Sequence, residues 1–251
     1  MTLQLFPNMP YAAAILGAGS GIGRAAALHL AEHGVSVAAI DRDEAGARET
    51  AEMAGGGAKA FRADATDDAE LRACLARVET ELGGLQAFIN CAAITGKTNV
   101  KAHEFDLEDF DRVYKINLRA ALVASQAVLP AMIARKYGRI LHVASIAGKD
   151  GNAGMVAYSA TKAGLIGMVK SMGKDYATTG VTVNALAPAV INTPMVAALP
   201  QATIDYMTAK IPMARTGTLE EAAAMIAWIV SPACSFTTGF TFDLSGGRAT
   251  Y

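Results

Sequence analysis

Aromatic residues make up only 6% of the 251-residue chain, with a single Trp, and the cysteines number three. That odd count, at positions 74, 91 and 234 without metal-ligand spacing, excludes a disulfide framework and predicts reduced thiols in a cytoplasmic protein. Neither sign of charge is in excess: 22 Lys and Arg against 23 Asp and Glu leave a net charge of −1. Without a basic cluster, nothing draws the chain to nucleic acid or an anionic membrane. No run reaches the ~18 uninterrupted apolar residues of a membrane helix. Pro7, Asn8 and Pro10 break up any early signal segment. His29, His33 and His103 are scattered, and His142 sits in an apolar run where packing is its expected role, so no metal site is expected. Repeats, linkers and low-complexity tracts are also missing, which leaves one soluble domain.

What the chain does have is aliphatic bulk, with 52% hydrophobic residues dominated by Ala, Val, Ile and Leu. Strands apolar at every position, not at alternate ones, belong to parallel sheets covered on both faces. Such runs fall at residues 11–16, 35–40, 58–63, 85–90, 139–144, 181–187 and 240–244. Helical patterns lie between them at 24–33, 44–54, 68–82, 106–136, 155–176 and 219–230, the last capped by Thr218 and the fourth kinked at Pro130. Glycine clusters at 55–57 and 83–84 end two of these helices. Residues 188–215 read as an irregular lid or binding loop with a short helix at 202–210. The predicted fold class is α/β, a Rossmann-like doubly wound parallel sheet of about seven strands flanked by helices, with ligands at the carboxyl ends of the strands.

Two stretches carry chemistry. Gly17-Ala18-Gly19-Ser20-Gly21-Ile22-Gly23 joins the first strand to a helix. Glycines there permit a tight turn and let backbone N–H groups approach a pyrophosphate at the helix N-terminus. A flexible connection is the plainer alternative, but the strand–turn–helix context favours nucleotide binding. Asp41 then ends the second strand, placed to accept hydrogen bonds from an adenosine ribose and to repel a 2′-phosphate, which favours NAD over NADP. A simple helix cap is the alternative for Asp41, and Arg42 beside it could accommodate the phosphate.

The second stretch runs from Ser145 to Lys162. Tyr158 and Lys162, four apart on a helix, share one face. A neighbouring ammonium favours a phenolate over the ordinary phenol value near ~10, which would make Tyr158 an acid/base useful near neutrality. Ser145, at a strand end, adds a hydroxyl able to hold a substrate oxygen.

In order and spacing, the glycine turn, Asp41, Asp64, Asn90, Asn117, Ser145, Tyr158-Ser-Ala-Thr-Lys162 and Pro188-Ala-Val-Ile-Asn-Thr193 resemble the short-chain dehydrogenase/reductase family over nearly the whole chain. The resemblance implies an oxidoreductase interconverting a secondary alcohol and a ketone by hydride transfer with NAD(H). In it, Tyr158 is the general acid/base. Lys162 lowers the Tyr158 pKa and binds the nicotinamide ribose, and Ser145 steadies the reacting oxygen. Asn117 holds, through its backbone, a water in a proton relay reaching Lys162. Gly17, Ser20, Gly21, Ile22 and Gly23 would cradle the cofactor, with Asp41 and Arg42 at the adenosine ribose and Asp64 and Ala65 at adenine. Asn90 and Ala92 would meet the adjoining ribose, while Pro188, Ile191 and Thr193 meet the nicotinamide. It also implies a homotetramer paired through helices 106–136 and 155–176, with the 245–251 tail as a second contact.

Two positions depart from the family pattern. Ala93 stands where the family carries Gly, so strain at a positive φ is expected. Ala189 replaces a second Gly and adds a methyl expected beside the active site. Asn99, Lys149, Asn152, Met155 and Met195 are candidate pocket residues for a small-molecule substrate, a mixed set that suits sugars as well as acyl thioesters. A methyltransferase would satisfy the glycine turn alone, and a cofactor-binding regulator would keep that turn without turnover. Neither accounts for Ser145, Tyr158 and Lys162 in register.

Overall fold

Apolar residues at consecutive positions bury a strand on both faces, as they do in the central strands of this sheet. In the computed structural model, which describes residues 5–7, 10–197 and 201–251, the strands are β1 (Ala12–Leu16), β2 (Ser36–Asp41), β3 (Lys59–Arg62), β4 (Ala87–Asn90), β5 (Gly138–Val143), β6 (Val181–Pro188) and β7 (Thr241–Leu244). All neighbours pair in parallel, in the order β3-β2-β1-β4-β5-β6-β7. The chain therefore works outward in opposite directions from β1 and β4. Loops leaving these two strands diverge to opposite faces and open a crevice at their carboxyl ends.

Helices cover both faces. One core joins the sheet to α3 (Asp68–Glu81), α5 (Ala120–Arg135) and α7 (Val156–Asp175) through Leu75, Val78, Ala124, Met132, Leu165 and Val169. The other joins it to α1 (Gly21–Glu32) and α10 (Leu219–Val230) through Ala26, Leu30, Ile226 and Val230. Between β2 and β3 lies α2 (Glu44–Ala54), and Gly55 stops it with φ 61°. Thr218 caps α10 in a full capping box, its hydroxyl accepting from the Glu221 N–H while the Glu221 carboxylate accepts from the Thr218 N–H.

The long helix expected over 106–136 is a composite. After α4 (Leu107–Tyr114), residues Lys115–Arg119 form a π turn, and α5 then runs on through Pro130. The interruption thus lies at the π turn and not at the proline. By length and composition the whole run Leu107–Arg135 could cross a membrane, yet half of its most apolar window is buried inside the fold. The described residues of 188–215 include two short helices, α8 (Pro194–Ala197) and α9 (Gln201–Thr208), the first of which the sequence pattern does not reveal. A further single turn, α6 (Ala147–Asp150), directly follows Ser145.

Candidate active site

The glycine turn is built by close approach. At Gly17, φ is +85° and a Cβ would lie 2.6 Å from the Ala92 N, at the end of β4. At Gly23 a Cβ would lie 2.1 Å from the Gly17 carbonyl oxygen. Helix α1 therefore starts at Gly21, inside the motif, and Ser20 precedes it without a side-chain cap. Its leading N–H groups face the crevice with no carboxylate in the first turn. Arg24 braces the turn from behind, donating to the Gly19 carbonyl at 2.6 Å and to the Thr50 hydroxyl at 3.0 Å.

Asp41 closes the far side of the turn. One carboxylate oxygen accepts from the Gly19 N–H at 2.9 Å and the other from the Asp43 N–H at 3.0 Å. Asp64 accepts from both the N–H and the hydroxyl of Thr66, and these bonds hold its carboxyl below the usual range, with Arg42 and Arg62 adding to the effect. Arg42 is exposed and, among the described residues, forms no salt bridge.

Between these groups and β4 lies a cleft of about 590 Å³. Its walls include Gly17, Ser20, Gly21, Ile22, Gly23, Asp41, Arg42, Asp64, Ala65, Ala92, Tyr158 and Thr193. Asn90, Lys162, Pro188 and Ile191 are buried behind that surface. Ile191 is pinned by a bridge to Gly217, and the Pro188 carbonyl accepts from the Ile146 N–H. Ala63, Cys91 and Ala93 also line it, and Leu16, Ile94, Ile116 and Val143 complete its apolar part. Sequence reasoning passed over these four, although each stands within two residues of a site position it named.

Tyr158 lies on the first turn of α7, and the Lys162 ammonium sits 5.7 Å from its ring centre. Lys162 is only 2% exposed and donates to the Val143 carbonyl at 2.6 Å. Burial lowers its pKa to about 8, which leaves it mostly charged at neutrality. The expected lowering of the Tyr158 pKa by Lys162 is not found. Burial dominates and pushes the phenol up, and the Ser145 hydroxyl beside it pulls the other way. The lysine's charge is directed at Val143, not at the phenol oxygen. Ser145 itself accepts from the Ala147 N–H at 3.1 Å, leaving its own proton free to donate.

Asn117 is fully buried in the π turn. Its side-chain oxygen accepts from the Ile94 N–H, and its amide donates to the Ile94 carbonyl and to Thr161, next to Lys162. Fully buried His142 is a strut: Ser125 stands 3.1 Å from Nε2 and the Asn90 amide 3.5 Å from Nδ1. Burial, reinforced by Lys162, holds its pKa near about 3, so the ring is neutral.

Both expected departures turn out mild. Ala93 is not among the described residues with positive φ, so the alanine there is unstrained. Ala189 lines a separate cavity of about 400 Å³ with Ile211 and Leu244, not the cleft. Asn99, Lys149, Asn152 and Met155 do not line the cleft either, and the Met195 side chain lies outside the described residues.

The crevice at the strand-order reversal, the capless α1 N-terminus and the carboxylate at the end of β2 fit a dinucleotide with a free adenosine ribose. Comparison with known proteins agrees with this geometry. A family model described as enoyl-(acyl carrier protein) reductase matches residues 17–249. The chain belongs to the short-chain dehydrogenase/reductase family. Within that family it is 43% identical, over 95% of both chains, to a 2-dehydro-3-deoxy-L-rhamnonate dehydrogenase (NAD(+)) of Sphingomonas sp. (strain SKA58). It is 36% identical to the 3-oxoacyl-(acyl-carrier-protein) reductase FabG of Vibrio cholerae, over 94% of this chain and 96% of that one. The crystal structure of gox2181 superposes with a TM-score of 0.92 at 28% identity, covering 98% of this chain and 97% of the other. This short-chain dehydrogenase/reductase is accordingly an oxidoreductase acting on CH–OH groups.

Proposed function

We propose that the enzyme interconverts a secondary alcohol and a ketone with NAD(H), and that its alcohol is a hydroxylated sugar acid resembling the substrate named for the 43% relative. The observation that carries this reading is the meeting, at one cleft, of Tyr158 with a glycine turn closed by the Asp41 carboxylate. Bound NAD supplies the hydride acceptor. The α1 N-terminal amides hold the pyrophosphate, and Asp41 accepts from the adenosine ribose hydroxyls. Asp64 and Ala65 flank adenine, Asn90 and Ala92 the adjoining ribose, and Ile191 and Thr193 the carboxamide. Lys162 binds the nicotinamide ribose.

Tyr158 takes the hydroxyl proton of the alcohol while the carbinol hydrogen leaves as hydride, and it returns a proton in the reverse direction. Ser145 donates its free proton to the substrate oxygen and holds it beside the phenol. A buried, protonated phenol suits reduction as it stands; for oxidation it must first lose its proton, which rising pH favours. Asn117 orients the path by which that proton leaves past Lys162. The test is NADH formation with a panel of secondary alcohols that includes 2-dehydro-3-deoxy-L-rhamnonate. Turnover of the sugar acid supports the reading. Activity confined to 3-oxoacyl-(acyl-carrier-protein) substrates would move it to the chemistry named for the FabG relative.

A further inference from the structure

Residues beyond the last strand have no sheet to join, yet the tail of this chain is tied down at several points. Arg248 donates from Nη2 to the Asn152 side-chain oxygen at 2.8 Å, and its Nε stands 3.6 Å from the Asp150 carboxylate. The Arg248 side chain is only 11% exposed. Tyr251 donates its hydroxyl proton to the Lys149 carbonyl at 2.7 Å, and the Lys149 ammonium lies 4.8 Å from the Tyr251 ring centre. That ammonium also donates to Asp243, on β7, at 2.8 and 3.0 Å. Lys149, Arg248, Asp150 and Asp243 thus form a charge-balanced cluster around α6.

Helix α6 cannot hold itself in place. It is one turn long, shorter than any helix stable alone, and Ile146 at its start provides no side-chain cap. On its inner side it nevertheless touches the reacting groups. The Ala147 N–H donates to the Ser145 hydroxyl oxygen. Gly148 packs so tightly on α7 that a Cβ there would lie 2.6 Å from the Lys162 carbonyl carbon. The Asn152 N–H donates to the hydroxyl of Ser159, the neighbour of Tyr158, at 3.1 Å.

We propose that the C-terminal tail is the outer jaw of a clamp on the active site, in which Arg248 is a positioning residue that fixes Ser145 and Tyr158 relative to one another through α6 and the Asn152 turn, while the Lys162 ammonium is held separately by the Val143 carbonyl. Arg248 touches none of the reacting atoms and acts only through Asn152 and Asp150. The inference rests on the acid/base reading of Tyr158 for its kinetic consequence, but its structural consequence can be read without turnover.

Two readouts test it, amide hydrogen exchange on the NADH-loaded enzyme and kinetics of 2-dehydro-3-deoxy-L-rhamnonate oxidation with NAD. A charge-assisted hydrogen bond of this kind sets the expected loss, so Arg248→Ala should speed exchange across residues 147–152 and lower kcat/KM by about tenfold each. Exchange at residues 17–23 and NADH affinity should stay unchanged. Arg248→Lys should restore part of both losses, since its charge still reaches Asp150. Asn152→Ala should mimic Arg248→Ala, and the double variant should be no slower than the worse single one, as for two halves of one contact.

Unchanged exchange at 147–152 would overturn the proposal, as would a parallel loss of NADH affinity or losses that multiply in the double variant. Should Arg248→Ala fail to fold, Asn152→Ala and Arg248→Lys carry the same exchange readout. Full activity in Tyr158→Phe would instead strike the acid/base reading and leave the exchange result standing.

Discussion

Replacing Asp41 with Ala should change cofactor preference and cofactor affinity together, by amounts that separate its two roles. A 2′-phosphate brought within ~4 Å of the carboxylate is opposed by about 1 kcal/mol at the dielectric of water and about 4 kcal/mol at a partly buried site. Forfeiting the ribose hydrogen bonds adds about 1 kcal/mol. The sum of about 2 to 5 kcal/mol is a preference for NAD of roughly 30- to 4,000-fold, at about 1.4 kcal/mol per decade. The same carboxylate also holds the Gly19 and Asp43 amides, so removing it loosens the glycine turn for either cofactor. NAD therefore loses both the ribose contacts and the turn, whereas NADP loses the turn but is relieved of repulsion and gains Arg42, which forms no salt bridge among the described residues. In Asp41→Ala, kcat/KM with NAD should fall steeply while the value with NADP holds or rises. Steady-state kinetics with both cofactors is the assay. Equal losses with NAD and NADP would reduce Asp41 to a strut of the turn. A wild-type enzyme that prefers NADP would refute the argument altogether.

Tyr158→Phe should keep cofactor binding and lose ~10²-fold or more in turnover, because only the proton donor is removed; retained activity ends the acid/base assignment. Lys162 has a folded-state pKa of about 8 against 10.5 in the free side chain. The folded form therefore binds fewer protons between those values, and stability rises with pH across that window by at most about 3 kcal/mol. Lys162→Met should remove that rise, so its melting-temperature advantage over wild type shrinks from pH 8 to 10.5; a constant difference would show the ammonium is not buried. Light scattering should report a tetramer, since α5 exposes Leu122 and Ile133, the β7 edge exposes Phe240, and a Cβ at Gly167 would meet nothing within 4 Å. A stable monomer at micromolar concentration would leave those apolar side chains without a reason.

Sequence pattern sufficed for the strands and for the helices with clear caps or stops. Every strand was legible as an apolar run, and α2, α3 and α10 were legible from their caps and glycine stops, because solvent exclusion and backbone chirality act locally there. Asp41, Asp64 and Ala92 were legible because they lie at or just past strand ends, where the topology delivers them, whereas Leu16, Ile94, Ile116 and Val143 carry no signal beyond being apolar. What was hidden depends on contacts between distant segments. The π turn is tied to the Asn117–Ile94 bonds, which no periodicity announces. Helix α6 has four residues, too few for a pattern, and leans on a tail some hundred residues later in the chain. The direction of the Tyr158 shift was misjudged because spacing reveals a nearby ammonium but not the carbonyl that occupies it.

The π turn at Lys115–Arg119 also constrains chain length. Buried Asp109, Val113, Asn117 and Ala121 recur every four residues. On an uninterrupted α-helix each such step winds about 40° around the axis, so the set would spiral through about 120°. A wider turn subtracts from that winding and keeps these residues on one line facing the fold. Deleting a single residue there would rotate Asp109 and Val113 away from the segment they anchor at Lys97 and Gly96 while leaving α5 in place. In this stretch the number of residues is constrained as well as the identity of Asn117.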